Sequence, residues 1–398
     1  MPEKYDVVVI GGGVAGLAAA RAAASEGAKT IVLEMRAGIG EHGGFGIVLP
    51  RHLLRRFKVM EKKVESLTIA SQGKRAKVEK RMAVVRRREV LEALSREAVA
   101  AGAEMWINCP VQALVFKDGV VRGVRAEGGG WAETIVGEVV IDASGASGQW
   151  SSLFLRKVLE GDWRPEQLVF SSEYMLANAG GCDPELHFTT YLAPAGKCWV
   201  YPMRDDFASA GICGIRIHPD TALDEFLGKA AQKAVSGSVP VKASRSQLPI
   251  SGPLKHTCGD GILAAGAAAG QVFPTAPESI SLPFLCGEIA GKAAVDAITD
   301  GDVRRAGLQR YEERWRATVG EEIEACRIFH SSITAAQDER IGKIIDVFND
   351  NPSVMDSLIN VYLGIDVGKS LRRIARIQKL REIIGEDAAS KITELLRG

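Results

Sequence analysis

Apolar positions along this chain follow three different rhythms. Near the start, YDVVVI (5–10) is a continuous β-branched run, the pattern of a strand covered on both faces. LAAARAAASEG (17–27) has helical composition and stops at Gly27, and AKTIVLE (28–34) is a second buried strand. Further on, EVVIDASGASGQW (138–150) and GILAAG (261–266) are short buried strands that run into glycine turns, the second followed by a small-residue helix, SLPFLCGEIAGKAAVDAI (281–298). Between those two returns the rhythm becomes alternating. KCWVYP (197–202) and SAGICGIRI (209–217) predict a sheet, with Trp199 and Tyr201 pointing to one face. After TDGDVRRAG (299–307) glycine thins out and helical spacing dominates to the end.

These rhythms predict an α/β protein: a Rossmann-like nucleotide-binding part, an inserted β-rich substrate part and a helical C-terminal part. The expected boundaries are 1–48, 83–158 and 254–300 for the first, 49–82 and 159–253 for the second, and 301–398 for the third.

The candidate chemistry sits where the first strand meets the first helix. Gly11, Gly13 and Gly16 have GxGxxG spacing, which serves a tight turn, close approach of backbone N–H groups to a pyrophosphate, and close helix-on-strand packing. The helix N-terminus then faces the phosphates. Glu34 ends the next strand, placed to accept hydrogen bonds from an adenosine ribose. Two later strand-and-glycine returns to the same sheet suit a long, bent dinucleotide such as FAD better than NAD.

Composition narrows the class further. Fifty basic and 49 acidic residues nearly cancel, which gives no argument for nucleic acid. The seven cysteines form no CxxC pair, so neither a disulfide framework nor a zinc site is expected. No apolar run is long enough to span a bilayer, and the N-terminus carries no leader pattern. The expectation is a cytoplasmic protein, soluble or resting on a membrane surface.

GGGVAG with Glu34 and Arg36, YLAPAGKCWVYPMRD (191–205) and GILAAGAAAGQVFP (261–274) together resemble the geranylgeranyl reductases, within the wider class of flavoproteins that includes the aromatic hydroxylases. The resemblance covers nearly the whole chain and implies an FAD-dependent oxidoreductase that reduces carbon–carbon double bonds of an isoprenoid lipid or a related apolar substrate. It implies cofactor contacts from Gly11, Gly13, Val14, Ala15, Gly16, Glu34, Met35, Arg36, Arg87, Val111, Gly266, Ala267, Gly270, Ser279 and Ile280. It implies substrate contacts from Trp199, Tyr201, Pro202 and Phe45. Trp199 and Tyr201 form either the wall of an apolar tunnel or part of the core of the β-rich region. No motif identifies an electron donor.

Several positions depart from the family. Ala267 stands where the family has an acid that holds the ribityl chain, and Pro277, Glu278 and Ser279 replace a glycine run beside the ring. Phe45 replaces a cysteine, Ser144-Gly145 replaces Asp-Gly, and Lys197 replaces a tyrosine. One lost hydrogen bond to a hydroxyl costs about 0.5–1.5 kcal/mol, too little to abolish binding, but the departures cluster around the ring. Glu278 is read either as a helix-capping residue or as a general acid whose proton is held tightly by an apolar pocket. His42 is a second candidate donor. The alternatives to a reductase are a flavin monooxygenase and a non-catalytic flavin or lipid carrier.

Two basic segments bear on membranes. Residues 51–88 carry fourteen Lys and Arg against three acids, a solvated face or an attractor of diphosphates, anionic membranes or an acidic electron donor. In GKSLRRIARIQKLREII (368–384), Leu371, Ile374, Ile377 and Leu380 recur at helical spacing, as in a core-facing helix or an interfacial membrane helix.

Overall fold

The protein is described by a computed structural model covering residues 4–41, 43–128, 131–146, 159, 163–350 and 352–397. Strand β1 (Lys4–Ile10) leads through the glycine turn into helix α1 (Val14–Ser25), and the chain returns as β2 (Thr30–Leu33). β1 pairs in parallel with β2 and with the strand Trp131–Asp142, which pairs in parallel with Ile262–Ala264. Register aligns the strand ends: Ile10 lies opposite Leu33 and Asp142, and Asp142 opposite Ala264. Each strand therefore opens into its loop at the same edge, where ligands bind in open α/β sheets.

Small residues let the helices close over this sheet. A Cβ added at Gly287 would collide with the Ala15 carbonyl, and one at Gly291 with that of Ala19. These two glycines, one helical turn apart on the helix Ser281–Thr299, let it lie backbone to backbone against α1. The small-residue run at 281–298 is a packing device that draws the last glycine loop against the first.

The second sheet has eight strands among the described residues. Leu168–Ala177 pairs antiparallel with Phe207–Gly214, which pairs antiparallel with Lys197–Pro202. Glu185–His187 then joins these to Lys62–Ser71 and Lys74–Arg86. Helices from Arg305 onward pack on the sheets and extend the main core, with Phe329, Ile341, Leu358 and Tyr362 all buried. Residues 368–384 do not form one continuous helix. They divide between Val367–Ile374 and Gln378–Ile384, and Leu371, Ile374 and Leu380 are buried while Ile377 packs on the core. This overturns the interfacial-membrane reading of that segment, because its apolar face is already covered by protein. Among the described residues no helix is long and apolar enough to cross a membrane.

Candidate active site

The glycine turn has the geometry its spacing requires. Gly11 has φ +99°, and a Cβ there would sit 2.7 Å from the Ala143 carbonyl oxygen. A Cβ at Gly16 would collide with the Gly11 carbonyl, so this glycine sets the helix against the turn. Gly13 differs: it is the N-cap of α1, and nothing lies within 4 Å of a Cβ built on it. The space in front of Gly13, at a helix start with no side-chain cap, is a cradle for a pyrophosphate. Glu34 is buried, accepting from Gly12 N at 2.8 Å and Arg36 N at 2.8 Å. Its carboxylate is thus fixed in the lining of a cavity of about 140 Å³, lined also by Met35, Pro110, Val111 and Ser144.

That cavity shares Gly13, Ala143 and Gly145 with a second one, of about 140 Å³, between the strand ends of the first sheet and one face of the second. Its floor is apolar, with Val14, Ala15, Ala267, Val272, Pro277 and Pro283. The opposite wall carries Ser171, Glu173, Trp199, Ser244 and Ser246. The two cavities join into one bent space that runs from Glu34 past Gly13 to Trp199.

Several expected residues lie elsewhere. Arg36 forms none of the lining; it contributes its backbone N–H to Glu34. Gly266 faces α1, where a Cβ would lie 2.6 Å from that of Ala15. Gly270 has φ +73° and closes a short turn against Gly252 and Trp163, and Ile280 is buried beside Phe284 and Leu91. Phe45 acts through its backbone: N–H donates to Glu173 at 2.8 Å and C=O accepts from Arg87 N at 2.8 Å. Tyr201 stacks on Trp199 with ring centroids 6.4 Å apart, but only Trp199 reaches the cavity. The Tyr201 hydroxyl is buried without a hydrogen-bond partner among the described residues, and burial pushes its pKa well up. Pro202 is buried at the strand end and takes no part in the lining. The wall around Trp199 is therefore a mixed polar surface, and the apolar side of the cavity is the floor. His42 lies outside the described residues.

Glu278 is not a helix cap. The following helix starts at Ser281 with Ile280 at its N-cap position, and no side chain caps it. Glu278 instead pairs with Lys197 at 2.7 Å, and its backbone carbonyl accepts from Arg87 Nη1 at 2.9 Å. Lys197 is 2% exposed and also donates to the carbonyls of Tyr362 (2.5 Å) and Thr275 (3.2 Å). The Tyr362 carbonyl belongs to the last turn of the helix Pro352–Leu363, where no intrahelical donor remains, so the ammonium caps that helix end. Arg87, partly buried, lies between Glu173 and Glu278: burial lowers its pKa and the two carboxylates oppose that.

Glu173 and Ser209, at and behind the cavity wall, are side chains that sequence reasoning passed over, and Lys197, noted there only as a departure from the family, had no partner assigned. Glu173 sits on Leu168–Ala177 opposite Gly211, which lies opposite Trp199. A Cβ at Gly211 would collide with the Trp199 ring, so this glycine lets the indole lie across the sheet. Trp199 Nε1 donates to Ser209 Oγ at 3.1 Å, and Ser209 donates to Glu173 Oε1 at 2.5 Å. The one available signal was a lone acid in the alternating run LVFSSEYMLA (168–177), flanked by residues of buried type.

A family model described as FAD dependent oxidoreductase matches residues 6–148. The digeranylgeranylglycerophospholipid reductase 1 of Methanopyrus kandleri is 31% identical over 343 residues, covering 81% of this chain and 89% of that protein. The crystal structure of a geranylgeranyl bacteriochlorophyll reductase-like protein from Thermoplasma acidophilum matches with a TM-score of 0.80 at 21% identity, over 98% of this chain and 100% of that one. The flavin-dependent brominase Bmp2 matches with a TM-score of 0.72 at 15% identity, over 98% and 100%. The fold is thus shared by proteins of different chemistry.

Proposed function

Because this chain belongs to the digeranylgeranylglycerophospholipid reductase family of FAD-dependent oxidoreductases, we propose that it saturates carbon–carbon double bonds in the isoprenoid chains of a geranylgeranyl lipid. The observation that carries this reading is the bent crevice from Glu34 past Gly13 to Trp199, with an apolar floor at its far end. Bound FAD, once reduced, supplies the hydride. The backbone N–H groups at the start of α1 hold the pyrophosphate, and Glu34 accepts from the ribose. Val14, Val272, Pro277 and Pro283 hold the alkene and exclude water, while the indole of Trp199 fixes it from the opposite wall. Arg87, tied to the Glu278 carbonyl, keeps the 277–279 loop in place at the crevice.

A lipid substrate has to be met at a bilayer. The short helix Arg51–Phe57 exposes Arg51, Arg55 and Arg56, and Met60 beyond it is 63% exposed. This cationic, partly apolar corner suits the surface of an anionic membrane on the cytoplasmic side. One experiment, run without oxygen and then with it, tests both statements: FAD-loaded protein, chemically reduced, is mixed with digeranylgeranylglycerophospholipid in anionic vesicles or in detergent. Expected are reoxidation of the flavin without oxygen and a product heavier by two hydrogens per bond, with Arg51→Glu plus Arg55→Glu slowing the vesicle reaction alone. Reoxidation that needs oxygen, with an oxygen atom in the product, would establish a monooxygenase instead. Lipid binding with no turnover would establish a carrier. An unchanged vesicle rate in the double variant would move membrane contact to another surface.

A further inference from the structure

On the reading that this crevice reduces an alkene, we propose that Glu173 is the acid that gives the double bond its proton. All three hydrogen bonds to its carboxyl fall on one oxygen: Oε1 accepts from Phe45 N (2.8 Å), Gly46 N (3.1 Å) and Ser209 Oγ (2.5 Å). Oε2 has no hydrogen-bond partner among the described residues, and the residue lines the cavity. Gly44 stands beside it with φ +94°, and a Cβ there would sit 2.5 Å from Oε2. No side chain can intervene at that point.

The surroundings strengthen the carboxyl's hold on its proton. Burial pushes its pKa up, while the three donors and the Arg87 guanidinium pull against that, and burial is the larger effect. Glu278, the other acid of the cavity, already has Lys197 at 2.7 Å. Arg87 and Lys197 against Glu278 leave one excess positive charge when Glu173 holds its proton, which suits an anionic reduced cofactor.

The step balances. One carbon of the double bond takes a hydride, with its electron pair, from the reduced cofactor. The neighbouring carbon forms its new C–H bond with the Glu173 proton, the O–H bond breaks, and the carboxylate keeps that bonding pair. The negative charge that leaves the cofactor reappears on Glu173, so the dry pocket keeps its total charge throughout. Water returns the proton before the next turnover.

The test uses Glu173→Gln, which keeps the shape and the acceptor oxygen, and Glu173→Asp, which keeps an acid with a shorter reach. In FAD-loaded protein the Gln variant should bind FAD within about twofold of wild type, yet reduce the lipid at least about 100-fold more slowly, the lower end of what a positioned acid contributes. The Asp variant should recover part of the rate and all of its pH dependence. Independently of turnover, ¹³C NMR of labelled Glu carboxyls in the apoprotein should show, besides that of Glu322, which burial also raises, a second resonance titrating above the ordinary range near ~4.3, and that second resonance should be missing in the Gln variant. A Glu173 resonance in the ordinary range, or a Gln variant within about threefold of the wild-type rate, overturns the proposal. So does an Asp variant whose lost rate carries no pH dependence. If wild type itself reduces no lipid, the proposed activity falls, and the NMR midpoint alone then decides whether Glu173 is a stored acid.

Discussion

Replacing Lys197 by Met should be among the most damaging single changes in this molecule. The ammonium is 2% exposed and serves three acceptors, namely the Glu278 carboxylate at 2.7 Å and the carbonyls of Tyr362 and Thr275. Methionine fills nearly the same space and answers none of them. Breaking a buried ion pair from one side costs about 3–5 kcal/mol, with the lower end applying because Glu278 is 28% exposed and water can reach it. The last-turn carbonyl of Pro352–Leu363 loses its cap, adding about 1 kcal/mol. The expected loss is therefore about 4 kcal/mol, a large share of the 5–15 kcal/mol typical of a folded domain. Urea unfolding of the apoprotein measures it. Lys197→Met with Glu278→Gln should recover about 1–2 kcal/mol, since the stranded charge is removed while the carbonyls stay unanswered. A single-variant loss below about 1 kcal/mol, or a double variant no more stable than the single, would refute this account of the pair.

Two further outcomes are expected. Gly13→Ala should fold as well as wild type, because its Cβ meets nothing within 4 Å, yet lose FAD in equilibrium dialysis; Gly16→Ala should lose both FAD and stability, because its Cβ would strike the Gly11 carbonyl. A Gly13→Ala protein that kept stoichiometric FAD would place the pyrophosphate elsewhere. His330 donates from Nε2 to the Ala195 carbonyl at 3.0 Å, and burial, helped by Lys197, pulls its pKa down to about 4. With the unfolded value near 6.5, its contribution to stability is complete above pH ~6.5 and is lost as pH falls toward about 4. Wild type should therefore lose about 2–3 kcal/mol more than His330→Gln between pH 7 and 4.5, and parallel stability profiles would show that His330 is not the buried neutral base described.

The cofactor half of this protein was written locally. A buried strand, three glycines, a helix and an acid at the end of the next strand stand within 30 residues, and each does its work through backbone sterics or hydrogen bonds to near neighbours. The two later glycine returns were legible for the same reason, although only the helix contact explained why residues 287 and 291 must be glycine. The chemistry half depended on pairing across the second sheet. Register alone sets Glu173, Gly211 and Trp199 in one row, and a slip of one residue would turn Glu173 to the opposite face. Tertiary packing also decided Glu278, which reads as a helix start until Lys197, 81 positions earlier, arrives across the core with its charge. The tail segment at 368–384 shows the same limit: its apolar stripe is identical for a membrane and for a core, and only the neighbours that cover Leu371 and Ile374 distinguish the two. Periodicity records that a face must be buried; what buries it, and which distant charges meet there, depends on contacts between parts of the chain that share no local pattern.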